Sequence, residues 1–159
     1  MTRIHWWWAG MVGIFISAGV LAGCSGGDHN ESRHGSGVCL LSSEVEPNAT
    51  ALTAQFLGDM FAGDCFIVTG SIFDVTDVDS YRVLIQESLT LVVSLDHSSL
   101  VAFDVQLFDA DTGELIRDCG VAPEGCAVSF AVRGRDIAVD VVVSSVVGAG
   151  TYTLTLDAR

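Results

Sequence analysis

The sequence predicts an all-β fold, an antiparallel and jelly-roll-like β-sandwich of about eight strands. Apolar and polar residues alternate over residues 81–86, 89–96, 101–107, 137–144 and 151–156. A period of two directs one row of side chains inward and the other toward water. The apolar positions are mostly Val, Leu, Ile and Phe, and the β-branched and aromatic ones among them suit a pleated, half-buried surface. Turn sequences separate the segments about every ten residues, which is typical of a β-sandwich.

The strand segments begin at Cys65, and polar or Gly-containing turns follow them in order. These turns are residues 86–88, 97–99, 109–113, 133–135 and 148–150. The turn with Asp109, Asp111 and Gly113 is interpreted as a hairpin, because it lacks the further ligands of an EF-hand calcium loop. Residues 44–63 are mixed in character and leave a short helical turn open.

The N-terminus predicts export. Arg3 precedes an apolar run from Trp6 to Leu21, which is about 16 residues long and falls short of the roughly 20 needed to span a bilayer. Its end, Leu21-Ala22-Gly23-Cys24, resembles a bacterial lipobox. The resemblance implies cleavage of a signal peptide at 1–23 and a lipid on the Cys24 sulfur. An ordinary cleaved signal and a retained membrane helix are the alternatives.

The remaining chain is predicted to contain a tether and one domain. Residues 24–42 would form the lipidated cysteine and a flexible, Gly- and Ser-rich tether, and residues 43–159 the β-sandwich domain. His29 and His34 are interpreted as tether residues and not as metal ligands. The expected location is the bacterial cell envelope, with the outer membrane or cell surface favoured over the inner membrane.

The charge balance excludes some partners. The chain has 20 acidic residues, seven Arg and no Lys, for a net charge of −13. Nucleic acid and anionic lipid surfaces both require cationic contacts, so neither is expected to bind. An acidic surface is compatible with divalent cations.

The cysteine count predicts disulfides. With Cys24 lipidated, Cys39, Cys65, Cys119 and Cys126 remain, and four cysteines allow three pairings. An exported chain without a C-x-x-C motif favours disulfides over zinc. We favour Cys119–Cys126, which closes a small loop, and Cys39–Cys65, which ties the N-terminal segment to the core; free thiols are the alternative.

Several short motifs occur in a characteristic order. They are Glu44-x-Glu46-Pro47-Asn48, Gly70-x-Ile72, Asp77-x-Asp79-x-Tyr81, a hairpin from Phe103 to Gly113, and Gly150-x-Tyr152-x-Leu154. In this order they resemble the bacterial pre-peptidase C-terminal domain family, which is related to the collagen-binding domains of bacterial collagenases. The resemblance covers residues 43–157. Collagen binding itself is not expected here, because Tyr81 and Tyr152 match positions that lie in the core of the resembled family.

The resemblance implies a structural calcium ion. Carried over to this chain, its ligands are Glu44, Glu46, Asn48, Asp77 and Asp79, with Asp74 as a possible addition. Calcium prefers six to eight oxygen ligands, and acids at alternate positions of an extended segment point the same way. A solvated acidic turn is the alternative interpretation.

No catalytic motif is present, and His97 is the only histidine in the predicted domain. We therefore expect no enzyme, but a membrane-anchored lipoprotein whose calcium-stabilised domain binds an extracellular protein or a polysaccharide. A structural or accessory lipoprotein of an envelope or secretion complex is the alternative. A hydrolase would require a cleft with clustered His or acidic residues.

Overall fold

The computed structural model describes residues 38–121, 125–133 and 135–159. These residues form β1 (Leu40–Ser43), β2 (Gln55–Met60), β3 (Cys65–Ile72), β4 (Val78–Ile85), β5 (Leu89–His97), β6 (Ala102–Asp109), β7 (Leu115–Val121), β8 (Cys126–Phe130), β9 (Ile137–Val147) and β10 (Gly150–Ala158). They include no helix long and apolar enough to cross a membrane. The predicted signal peptide, Cys24 and the polar part of the tether lie outside the described residues.

The strands form two five-stranded sheets. Sheet I has the order β1-β3-β10-β5-β8, and sheet II has the order β2-β4-β9-β6-β7. Strands β3 to β10 alone follow the strand order of an eight-stranded jelly roll, with four strands in each sheet. The predicted all-β sandwich is therefore confirmed.

Two strands differ from the prediction of an antiparallel sandwich of about eight strands. Strand β1 pairs with β3 and β2 pairs with β4, both in parallel, so each sheet is mixed. Strands β1 and β2 are edge strands that flank β3 and β4. The chain passes from sheet I to sheet II at the same end of the sandwich after β1 as it does after β3, so each added strand runs parallel to its neighbour. Strand β1 has only four residues, and Gly58 interrupts β2 at a register shift, so neither shows clear alternation. The folded part therefore begins before residue 43.

The core lies between the sheets and contains the inward row of each predicted strand segment. Its fully buried side chains include Val68, Tyr81, Val83, Leu91, Phe103, Val105, Leu107, Val139, Val141, Leu154 and Leu156. Burial of each such side chain stabilises the fold by about 1.5–3 kcal/mol. Strand alternation from Tyr81 onward thus predicted which face is buried.

Both favoured disulfides are present. Cys39–Cys65 joins the segment before β1 to the start of β3. Cys119–Cys126 links β7 of sheet II to β8 of sheet I. Each crosslink reduces the conformational freedom of the unfolded chain and so favours the folded one.

Among the connections whose residues are all described, four lie together at one end of the sandwich, which we name the loop end. They are the β1–β2, β3–β4, β5–β6 and β9–β10 connections, and strand register places them side by side: Ile72 pairs with Gly150, and Val78 pairs with Ser144. Strand β1 begins at the opposite end, the base, where Leu40 pairs with Phe66. The chain therefore reaches the loop end only after β1, at Glu44.

Candidate metal site

Three carboxylates meet at the loop end. Glu44 and Glu46 belong to the β1–β2 connection, and Asp79 belongs to β4. One carboxylate oxygen from each lies within 4.8 Å of the others. The structure thus brings together two acidic segments that lie about 30 residues apart in the chain.

Glu44 is held against sheet I. Its backbone N–H donates to the Thr69 carbonyl at 2.9 Å, continuing the β1–β3 pairing by one residue. The backbone N–H of Ser71 donates to Glu44 Oε2 at 2.7 Å. The other oxygen, Oε1, is buried and has no hydrogen-bond partner among the described residues. A buried acceptor without a partner is costly, so this oxygen is suited to a cation.

Asn48 lies fully buried between Glu46 and Asp79. Its backbone N–H donates to Glu46 Oε2 at 2.9 Å, and its carbonyl accepts the Ser80 N–H at 3.1 Å. Its side-chain amide lies 3.2 Å from both Asp79 Oδ1 and Glu46 Oε2. With the nitrogen turned toward them, the amide donates two hydrogen bonds; with the oxygen turned toward them, it joins a cluster of oxygens that only a cation stabilises.

Asp79 is fully buried and is held from behind by two tyrosines. The Tyr152 hydroxyl donates to Asp79 Oδ2 at 2.5 Å, and the Tyr81 hydroxyl lies 2.5 Å from that of Tyr152. Burial, followed by the neighbouring Glu44, raises the pKa of Asp79 to about 8. Burial also raises the pKa of both tyrosines, so they remain donors at neutral pH.

The raised pKa of Asp79 has a consequence for stability. Its carboxyl ionises near pH 4 in the unfolded chain and only near pH 8 in the folded, metal-free one. The stability that the protonated Asp79 carboxyl contributes is therefore fully present below about pH 4, and it is lost as the pH rises toward 8. Protonation of Asp79 removes one of the three negative charges of the cluster in this state.

The donor set fits a hard cation. Three carboxylates and one amide oxygen are ligands that calcium prefers, and backbone carbonyls or water would complete the six to eight that it needs. The unpartnered Glu44 Oε1 supports this fit. The described part of the site offers no thiolate and no imidazole, the ligands that zinc prefers.

The other two predicted acids do not belong to this cluster. Asp77 Oδ2 accepts the Phe73 N–H at 2.7 Å, and so closes the β3–β4 turn. Asp74 Oδ1 accepts the backbone N–H and the hydroxyl of Thr76, which lowers the pKa of Asp74. Both residues stabilise the turn that delivers Asp79, since Asx turns of this kind fix the backbone locally.

Sequence reasoning missed the residues that support the site. Tyr81 and Tyr152 were predicted as core residues, yet their hydroxyls form a buried chain that ends on Asp79. Gly70 leaves room for both hydroxyls, because a Cβ at this position would lie 2.9 Å from the Tyr81 oxygen and closer still to that of Tyr152. The Gly-x-Ile and Gly-x-Tyr motifs were the available signals.

An open cleft of about 760 Å³ borders Glu44 on sheet I. Its lining includes Thr69, Ser71, Asp96, His97, Ser98, Thr151 and Thr153. His97 Nδ1 lies 2.8 Å from the Ser98 carbonyl, and its ring packs edge-on against Phe103. The one histidine of the described residues is therefore held as a packed strand-end residue, with no acid–base partner of its own.

The fold is shared with known proteins. The chain is similar to PliG of Aeromonas hydrophila, a periplasmic inhibitor of g-type lysozyme, with a TM-score of 0.50 and 14% identity over 67% of this chain and 97% of that chain. PliG of Salmonella Typhimurium has a TM-score of 0.48 and 14% identity, covering 67% of this chain and 100% of that one. The pre-peptidase C-terminal domain of a Bacillus anthracis collagenase has a TM-score of 0.48 and 15% identity, over 67% and 94%.

No protein-family model matches the chain, and a search of curated proteins finds no match. The likeness to the Aeromonas protein shows a common β-sandwich fold, and at this identity it shows the fold alone. Membership of the pre-peptidase C-terminal domain family, which the motifs resemble, stays a prediction.

Substitution of Gly70 by Ala should destabilise the protein by about 1–3 kcal/mol, the usual cost of overpacking. The added methyl group would displace the hydroxyls of Tyr81 and Tyr152 from behind Asp79. Urea unfolding measures the loss. Gly150→Ala is the matched control, because its Cβ would meet only the Val101 side chain, at 3.4 Å. Equal stability of the two variants would contradict this account of the tyrosine pair.

Proposed function

We propose that this protein is a non-catalytic lipoprotein of the bacterial envelope whose β-sandwich is stabilised by calcium and serves as a binding module. The convergence of Glu44, Glu46, Asn48 and Asp79 at the loop end carries this proposal. The ion would join the β1–β2 connection to β4. The lipid anchor on Cys24 rests on the lipobox-like sequence.

Calcium would stabilise the fold through mass action. Without a cation, the folded protein brings three carboxylates together and keeps Asp79 protonated until about pH 8. Bound calcium would replace that proton and offset two of the three negative charges of the carboxylates. At a free concentration 100-fold above Kd, a ligand specific to the folded state adds about 2.7 kcal/mol to the free energy of unfolding.

The binding surface is proposed to be the loop end. Its four connections, residues 44–54, 73–77, 98–101 and 148–149, contain no Arg and no Lys. They include four acidic residues, of which Glu44 and Glu46 belong to the candidate metal site and Asp74 and Asp77 lie outside it. They also expose large apolar side chains, with Phe73 at 73% and Leu100 at 86% exposure. An acidic surface with exposed apolar side chains complements a basic protein.

A second candidate function is inhibition of a lysozyme. The acidic loop end, whose four connections contain no Lys and no Arg, favours it, because an enzyme that acts on an anionic cell wall gains from a basic surface. The Aeromonas protein of similar fold carries this activity in its name. The two candidates share the loop end and differ in the partner.

Calcium should raise the melting temperature of the wild-type protein, and a chelator should reverse the increase. Asp79→Asn should abolish this response, because it removes a buried ligand while its amide oxygen still accepts the Tyr152 hydrogen bond. Asp77→Asn, the matched control, should keep the response, since Asp77 serves the β3–β4 turn. Differential scanning calorimetry measures all three proteins.

The same titration has a predicted pH dependence. Because calcium must displace the proton on Asp79, the response should be smaller at pH 6 than at pH 8. In chelator at pH 8, Asp79→Asn should melt at or above the wild-type temperature, since it has no charge to bury. A wild-type protein that melts at one temperature in calcium and in chelator would rule out the ion.

Lipidation of Cys24 is tested by metabolic labelling with a fatty-acid analogue. The wild-type chain should incorporate the label and Cys24→Ala should not, because the Cys24 sulfur is the predicted attachment atom. The double variant Cys39→Ser, Cys65→Ser is the control and should remain labelled, as these cysteines form a disulfide. Equal labelling of wild type and Cys24→Ala would place any lipid elsewhere.

The second candidate is tested by adding the purified protein to a g-type lysozyme and following the clearing of a cell-wall suspension. Inhibition by the wild type should weaken at least tenfold in Phe73→Ser with Leu100→Ser, which changes the loop end without altering charge. Leu115→Ser, at an exposed apolar residue near the base, is the matched control. Unchanged clearing with micromolar wild-type protein would eliminate this candidate and leave the calcium proposal standing.

A further inference from the structure

We infer that Arg82 is a positioning residue of the calcium site, which fastens the segment that follows Asn48 to the outer face of sheet II. The inference rests on the proposed function, since the ion belongs to that proposal. Arg82 lies on β4, three residues after Asp79. It touches none of the four candidate ligands, and it acts through the backbone that carries one of them.

Arg82 is itself rigidly held. Its Nε and Nη2 donate to the two carboxylate oxygens of Asp140 at 2.6 and 2.7 Å. Asp140 lies directly opposite on β9, and its side chain is 3% exposed. A two-point pair between a planar guanidinium and a buried carboxylate fixes the direction of the remaining N–H groups.

The fixed guanidinium binds the β1–β2 connection. Arg82 Nη2 donates to the Ala51 carbonyl at 2.8 Å. Among the hydrogen bonds of the described residues, this is the one that ties residues 49–53 to another part of the molecule. The others in that stretch are internal and join Thr50 to Thr53. Leu52 is almost fully exposed, so apolar packing does not hold the segment in place.

Strand β4 thus holds the connection at two points and supplies a ligand beside them. The Ser80 N–H donates to the Asn48 carbonyl at 3.1 Å, and Arg82 donates to the Ala51 carbonyl. Asp79 lies in the same strand and faces the site. The position of the Asn48 amide between Glu46 and Asp79 is therefore set on its N-terminal side by Glu46 and on its C-terminal side by Arg82.

Loss of this contact should lower calcium affinity more than it lowers the stability of the metal-free fold. A loop that is already ordered costs no ordering entropy when the ion binds, whereas a released loop must be ordered at that moment. The buried core residues lie outside residues 49–53, on β2 to β10. The effect therefore separates a positioning residue from a general packing residue.

The test uses the detergent-solubilised full chain with Arg82→Lys. The ammonium group keeps a positive charge opposite Asp140 but lacks the fork that reaches both Asp140 and Ala51. The Kd for calcium, measured by isothermal titration, should rise about five- to tenfold. Amide hydrogen exchange of residues 48–53 should accelerate in calcium and in chelator, while the melting temperature in chelator changes little.

A second variant keeps the test decisive if Arg82→Lys disturbs the buried carboxylate of Asp140. The double substitution Arg82→Met with Asp140→Leu removes both charges together and should show the same loss of affinity and faster exchange. Arg135→Lys is the control, because Arg135 pairs with the exposed Asp111 away from the site, and it should bind calcium as the wild type does.

Wild-type Kd and unchanged exchange in both Arg82 variants would overturn the inference and leave the calcium proposal intact. A lower melting temperature in chelator with an unchanged Kd would also overturn it, since that is the signature of packing alone. If the wild type itself binds no calcium, the proposed function fails; faster exchange of residues 48–53 in chelator would still support fastening by Arg82, and unchanged exchange would overturn it.

Discussion

The contact between the β1–β2 connection and β4 is the interaction around which the loop end of this structure is organised. It joins the two sheets at the loop end, where Glu44 is bound to sheet I and Asp79 belongs to sheet II. Three carboxylates at this distance repel one another unless a proton or a cation lies among them. The neighbouring features are best understood as ways of tolerating or using this concentration of negative charge.

The core provides one of these features. Asp79 is buried without a basic partner, and the hydroxyl of Tyr152 supplies its main hydrogen bond from within the sandwich. Tyr152 is in turn bonded to Tyr81, and both rings occupy space that Gly70 leaves free. A buried polar chain stabilises the fold only when each member has its partner. The motif glycine and the two motif tyrosines are therefore one structural unit, although they lie on three strands.

The outer face of sheet II provides another. The pair of Arg82 and Asp140 would be unremarkable as an ion pair, since one partner is half-buried and a pair of this kind contributes little net stability. The pair matters because it orients the Arg82 guanidinium, so that Nη2 also donates to the Ala51 carbonyl. The candidate metal site is thus set by hydrogen bonds to sheet I, by the core and by the outer face of sheet II.

Much of the fold could be predicted from residues that alternate in character. From Tyr81 onward the inward rows were visible, because a strand with one face in water records its orientation in its sequence. Strands β1 and β2 could not be predicted in this way, since β1 is short and exposed and β2 is interrupted at Gly58. Their parallel pairing depends on how the chain runs beside β3 and β4, and the alternation of apolar and polar residues does not encode that.

For the site, the sequence by itself determined which acids were available and that two segments would supply them. It also supplied four cysteines with three possible pairings, of which the structure shows the favoured pairs Cys39–Cys65 and Cys119–Cys126. Only the tertiary structure decided that Asp79 joins Glu44 and Glu46 while Asp77 closes a turn, and that Tyr152 and Arg82 support the arrangement. The physical reason is that residue type and spacing define what a side chain can bond, whereas its partner depends on which distant strand lies beside it.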